Sequence, residues 1–150
     1  MTTLKKSSGI ARRKIMKTNS VYDTENFAEN FASNLKAGQV VALYGGLGAG
    51  KTAFVRGLCR GIGYDGEVTS PTFAIIHEYT GGRLPIFHFD MYRIEGYLDL
   101  ESTAFFEYLE KNGVTVIEWS ENIENVLPDG TIKIRISNGE FENERLINIL

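Results

Sequence analysis

Gly45-Gly46-Leu47-Gly48-Ala49-Gly50-Lys51-Thr52 fits the pattern G-x-x-x-x-G-K-[ST] at every position. A loop of this composition turns its backbone N–H groups toward a polyphosphate, and glycine supplies the dihedrals and close approach that wrapping requires. A helix starting near Lys51 adds the positive end of its dipole. In this chemistry Lys51 bridges the terminal phosphates as a point charge, and the Thr52 hydroxyl takes one position on Mg2+. The expected phosphate-binding set is Gly45, Gly46, Leu47, Gly48, Ala49, Gly50, Lys51, Thr52 and Ala53.

Phosphate chemistry of this kind also needs an acid near the metal, at the C-terminal end of a neighbouring hydrophobic strand. Two residues fit. Asp90 closes Ile86-Phe87-His88-Phe89, and in an extended run His88, Asp90 and Tyr92 share one face while Phe87, Phe89 and Met91 share the other. Glu118 closes Val114-Thr115-Val116-Ile117, the better buried-strand pattern. The plainer role for either acid is a surface carboxylate or a helix cap. Between loop and hairpin, Glu67-Val68-Thr69-Ser70-Pro71-Thr72-Phe73 gathers hydroxyls around a proline, as in a segment that orders around a γ-phosphate or in an ordinary turn. Trp119 is a contact anchor or partly buried core, Cys59 is packing, and His77 and His88 read as hairpin residues rather than a metal pair.

The elements that must hold these residues follow from periodicity. Phe27, Ala28, Phe31, Ala32 and Leu35 recur at helical spacing behind Asp23 or Thr24 as caps, with Gly38 as the stop. Residues 39–44 form an apolar run suited to a buried parallel strand. Phe54, Val55, Leu58, Cys59 and Ile62 then predict a helix that ends within residues 61–63. Residues 72–79 and 84–92 read as a hairpin across Thr80-Gly81-Gly82-Arg83, with Pro85 placing the second strand near an edge. One helix is expected over residues 98–112 and a buried strand over 114–117. Ile132, Ile134 and Ile136 alternate, Asn138-Gly139 predicts a tight turn, and residues 145–150 resume a strand.

A chain of 150 residues, 43% hydrophobic and 23% charged, suits one globular domain. Its single cysteine excludes an intramolecular disulfide and fits a reducing, cytoplasmic setting. No apolar run approaches the ~18 residues of a membrane span, and the basic start lacks the apolar stretch of a signal peptide. The net charge of −3 is uneven: residues 1–15 hold five cations and no acid, leaving −8 on residues 16–150. That body argues against broad contact with a phosphate backbone. Residues 1–15 are expected to be a disordered, dispensable extension, and residues 16–150 the folded unit.

Five ordered motifs carry a family resemblance: Gly48-Ala49-Gly50-Lys51-Thr52, Ser70-Pro71-Thr72-Phe73, Glu78-Tyr79, His88-Phe89-Asp90-Met91-Tyr92-Arg93 and Glu118-Trp119. Over about residues 20–137 the chain resembles the TsaE family, also called YjeE, small bacterial P-loop ATPases of tRNA threonylcarbamoyladenosine modification. The resemblance implies a three-layer α/β P-loop fold with a central, mostly parallel sheet and an inserted antiparallel hairpin. It implies ATP and Mg2+ as cofactors, the metal held by Thr52 and Glu118, and a catalytic set of Lys51, Asp90, Glu118 and Thr69, residues 69–72 acting as a switch. It further implies a TsaB–TsaD complex as partner, tRNA being the substrate of that complex. Two positions depart from the family: Gly46 stands where Asp is usual, and Ala53 where a second hydroxyl is common. A small-metabolite kinase is the first rival, but Arg83 is the sole arginine between Arg60 and Arg93, too few for a lid. A nucleotide-gated adaptor without hydrolysis is the second, and no guanine-reading Asn/Thr-Lys-x-Asp motif supports a GTPase.

Overall fold

The structure is a computed structural model that describes residues 14–150. In chain order it contains β1 (Lys14–Thr18), α1 (Val21–Ala32), β2 (Val40–Tyr44), α2 (Lys51–Ile62), β3 (Ile76–Tyr79) and β4 (Ile86–Asp90). Two short helices follow, α3 (Tyr97–Glu101) and α4 (Phe105–Leu109), then β5 (Val114–Glu118), a 3-10 segment (Ser120–Val126), β6 (Ile132–Asn138) and β7 (Arg145–Ile149). The strands form one sheet in the order β1-β7-β6-β2-β5-β4-β3. β6, β2, β5 and β4 run parallel, while β3 and the pair β7 and β1 attach antiparallel at the two sides. This is the expected three-layer α/β architecture with its antiparallel hairpin.

The parallel centre explains why β2, β4 and β5 are buried along their whole length, since helices cover both faces. On one face Val41, Leu43, Phe54, Val55, Leu58 and Ile134 pack with α1 and α2. On the other, Phe87, Phe89, Met91, Leu100, Phe105 and Ile117 pack under α3, α4 and the 3-10 segment. Cys59 belongs to the first core, 1% exposed, and burial pushes its thiol up to about 12. Alkylation of Cys59 by iodoacetamide at pH 8 is therefore expected to be at least ~100-fold slower in the native protein than after denaturation, read by intact mass. Comparable rates would place Cys59 outside the core.

Several local expectations are corrected. Lys14 and Ile15, expected in the extension, belong to β1 and pair with Ile149 and Asn148, whereas residues 1–13 lie outside the described residues. The cap of α1 is Ser20, whose Oγ accepts from Asp23 N at 3.0 Å, while Thr24 is buried against the Thr18 hydroxyl at 2.7 Å. α2 does end within the expected residues 61–63, at Ile62 with left-handed Gly63 as its cap, so Gly61 lies inside the helix. The helix expected over residues 98–112 is two, broken at Ala104 with φ +63°; Thr103 donates to Leu100 O at 2.6 Å and accepts from Phe105 N at 3.2 Å. A hydroxyl that satisfies the backbone in this way competes with helix continuation. Asn138-Gly139 is no two-residue turn either. Residues 139–144 form a longer loop, closed by Gly139 N on Glu144 O at 2.8 Å.

Candidate nucleotide-binding site

The C-terminal ends of the parallel strands bring the chemistry together. β2 delivers Gly45, and the loop returns into α2 at left-handed Gly50, so Lys51 and Thr52 stand at the first turn of that helix. β4 and β5 end side by side with Asp90 and Glu118 as register partners. This is where open α/β sheets place their ligands. A cleft of about 440 Å3 results, lined by residues 46–53, Val21, Ser70, Thr72, Asp90, Glu118, Trp119 and Arg145.

Gly45 has no alternative. Its φ is +145°, and a Cβ there would lie 2.3 Å from the carbonyl oxygen of Ile136. At Gly46 a Cβ meets nothing within 4 Å, so that position carries no steric demand for glycine. The Glu121 carboxylate accepts from Gly45 N at 3.3 Å and holds the loop entry. Lys51 is buried, its Nζ donating to the carbonyls of Gly45 and Gly46 and lying 4.1 Å from the centre of the Trp119 ring. Burial pushes the ammonium below the ordinary lysine value, and the charges of Glu118, Glu121 and Asp90 oppose that shift.

Thr52 Oγ1 donates to Glu118 Oε2 at 3.4 Å, and both residues line the cleft. Among the described residues no group of three or more His, Cys, Asp or Glu side chains is placed to hold a metal by itself. A hydroxyl and a carboxylate oxygen with space for phosphate oxygens and water nonetheless suit Mg2+, which takes hard oxygen ligands and few of them from protein. Asp90 accepts from Ser70 Oγ at 3.2 Å and Thr72 Oγ1 at 3.1 Å through one oxygen, and from Tyr92 N at 2.8 Å through the other.

The expected strand over residues 72–79 begins only at Ile76, because residues 71–75 turn back on themselves. Ile75 N donates to Pro71 O at 2.6 Å, and Ile75 sits at φ +72°, a costly conformation for a β-branched residue. The turn is what aims the Ser70 and Thr72 hydroxyls at Asp90. Thr69 lies apart from them: its carbonyl accepts from Tyr79 OH at 3.0 Å and bonds His77 Nδ1 at 3.1 Å, and no side-chain bond of Thr69 accompanies these. Trp119 is neither plain core nor free surface; at φ +60° it lies against Lys51 and Tyr92.

Sequence reasoning missed three site residues. Arg145, first in β7, donates to the Gly48 carbonyl at 3.2 Å, and no motif marks it. His88 bonds Glu118 at 2.6 Å, and Tyr79 bonds His88 at 3.1 Å. The signal for His88 was its place on the same strand face as Asp90; its partner depended on which strands are neighbours.

A parallel α/β sheet with a glycine loop entering a helix, and acids on the adjacent strand ends, defines a P-loop-like protein. The family model described as "Threonylcarbamoyl adenosine biosynthesis protein TsaE" matches residues 18–147. The tRNA threonylcarbamoyladenosine biosynthesis protein TsaE of Bacillus subtilis is 42% identical over 123 residues, 81% of this chain and 77% of that protein. The protein of the same name from Rickettsia prowazekii is 39% identical over 132 residues, 87% of this chain and 90% of its own length. The crystal structure of Bacillus subtilis YdiB superposes with a TM-score of 0.78 at 36% identity, covering 95% of this chain and 87% of that one. The chain belongs to the TsaE family and so to tRNA threonylcarbamoyladenosine biosynthesis. No helix among the described residues is long and apolar enough to cross a membrane.

Proposed function

We propose that this protein binds ATP with Mg2+ and hydrolyses it in support of threonylcarbamoyladenosine formation on tRNA, working in the cytoplasm with a TsaB–TsaD complex. The observation that carries the reading is the convergence of Lys51, Thr52, Asp90 and Glu118 on one cleft at the strand ends. Loop N–H groups and the N-terminus of α2 would hold the phosphates, with Lys51 offsetting charge on the β- and γ-phosphates. Thr52 and Glu118 would hold Mg2+, whose presence adds further charge neutralisation on the same oxygens. Asp90, which accepts from Ser70 and Thr72, would orient an attacking water. Breaking those two bonds as the γ-phosphate leaves would make residues 69–72 a switch that partners can read. The acidic body leaves tRNA to the complex rather than to this subunit.

Phosphate release from ATP, measured with Mg2+ and with EDTA, tests the reading. Slow Mg2+-dependent turnover that rises when TsaB and TsaD are added is the expected result. Full-rate turnover without partners contradicts the switch, a phosphorylated metabolite points to a kinase, and binding without any release points to an adaptor.

A further inference from the structure

His88 is wholly buried, and the mechanism above leaves it without a part. Its Nε2 lies 2.6 Å from Glu118 Oε2, the same oxygen that Thr52 Oγ1 approaches at 3.4 Å. Its Nδ1 lies 3.1 Å from Tyr79 OH, which is also 3.0 Å from the carbonyl oxygen of Thr69. Four residues thus form an unbroken path from the metal-side carboxylate to the start of the 69–72 segment. The protons along it are limited in number. A carboxylate only accepts, so His88 Nε2 donates to Glu118; in the neutral ring Nδ1 is then an acceptor and needs the Tyr79 hydroxyl proton. Thr69 O competes for that proton, because a carbonyl also only accepts. His77 Nδ1, 3.1 Å from the same carbonyl, is the alternative donor to it.

We infer that His88 and Tyr79 are positioning residues that tie the orientation of the Glu118 carboxylate to the placement of the 69–72 segment. With Thr69 O satisfied by His77, the Tyr79 hydroxyl is free to brace His88, and His88 presents Glu118 to Thr52. When Thr69 shifts, the Tyr79 proton is redistributed and the brace on Glu118 changes. The same segment reaches the neighbouring carboxylate directly through Ser70 and Thr72 on Asp90. Both strand-end acids therefore feel the segment, one by contact and one through buried side chains. Outer partners of a ligating carboxylate tune metal affinity in this manner.

The inference rests on the reading that Glu118 serves Mg2+ and ATP. It is tested on the full chain by binding a fluorescent ATP analogue with Mg2+ and with EDTA, and by amide exchange of residues 69–73. His88→Asn, which cannot place a donor where Nε2 stood, is expected to cut the Mg2+-dependent gain in affinity about tenfold while metal-free binding stays within about twofold. His88→Gln, whose amide reaches the Nε2 position, is expected to recover most of that gain. Tyr79→Phe, which removes one hydroxyl and keeps the ring, is expected to abolish the slowing of exchange that Mg2+ and ATP together produce in the wild type. It carries the test alone should the His88 variants not fold. An unchanged Mg2+-dependent gain in His88→Asn, or full protection in Tyr79→Phe, overturns the inference and leaves the proposed function standing. A wild type that gains nothing from Mg2+ overturns both.

Discussion

Replacing Lys51 with alanine is expected to lower ATP hydrolysis by roughly 10²- to 10³-fold or more, the range seen when one preorganised donor is removed from a developing negative charge. Lys51 has no substitute within the loop. The next cation lining the cleft, Arg145, is committed to the Gly48 carbonyl and to those of Glu142 and Glu144 at 2.9 Å. Stability should move the other way or not at all, since a buried ammonium is expensive to desolvate and burial lies behind its shifted pKa. Loss of turnover with an unchanged or higher melting temperature therefore separates a chemical role from a structural one. Lys51→Arg should not restore activity, because the larger planar fork cannot occupy a site fitted to a point charge over Trp119. Retained turnover in Lys51→Ala would remove the phosphate loop from the mechanism.

The second large effect is expected far from any ligand. Gly57→Val should destabilise the protein by about 3 kcal/mol, the upper part of the usual overpacking range. At this chain length that lowers the melting temperature by roughly 6–12 °C. Gly57 and Gly61 lie one turn apart on α2 where it meets Ala28 and Ala32 of α1. A Cβ on Gly57 would lie 2.2 Å from Glu25 O and 2.7 Å from Ala28 Cβ; one on Gly61 would lie 2.4 Å from Glu29 O. Backbone cannot yield as a flexible side chain would, so the helices must separate. Separation would also stretch the pairs Arg56–Glu25 at 2.6 Å and Arg60–Glu29 at 2.6 Å. The control is Gly46→Ala, where a methyl meets nothing and the melting point should hold within about 2 °C. A Gly57→Val protein as stable as the wild type would mean that α1 and α2 do not pack this closely.

These two glycines show what could be read before the fold was known. Lys51, Thr52, Asp90 and Glu118 were legible because a short motif and strand-end acids depend on local order, and the sheet then brought all four to one cleft. Gly61 was grouped with the helix stop and Gly57 carried no signal, because their demand comes from another helix, about thirty residues earlier in the chain. The break at Ala104 was hidden in an apolar pattern that is continuous through it, since a hydroxyl bond at Thr103 leaves no mark on periodicity. The turn at Ile75 was hidden for the opposite reason: a β-branched residue reads as strand. β1 escaped because it lacks a buried apolar face. Ile15 is 63% and Met16 41% exposed, and among residues 15–18 only the small polar Thr18 is buried. The His88–Glu118 pair required knowing that β4 lies beside β5, which sequence order alone does not tell.

β1 also has a bearing on how this protein behaves in concentrated solution. It pairs along the whole of β7, from Lys14 with Ile149 to Thr18 with Arg145, and so hides the free backbone donors and acceptors of β7 from other molecules. A chain started at Met16 would lose two of those five pairs, uncovering the far end of β7 as a template for intermolecular strand addition. Arg145 lies at the other end of β7 and touches Gly48, so self-association through this edge would reach within one side chain of the phosphate loop. β1 is itself the outer strand of the sheet, so the two residues before Met16 lengthen the cover over β7 while leaving their own outer edge open.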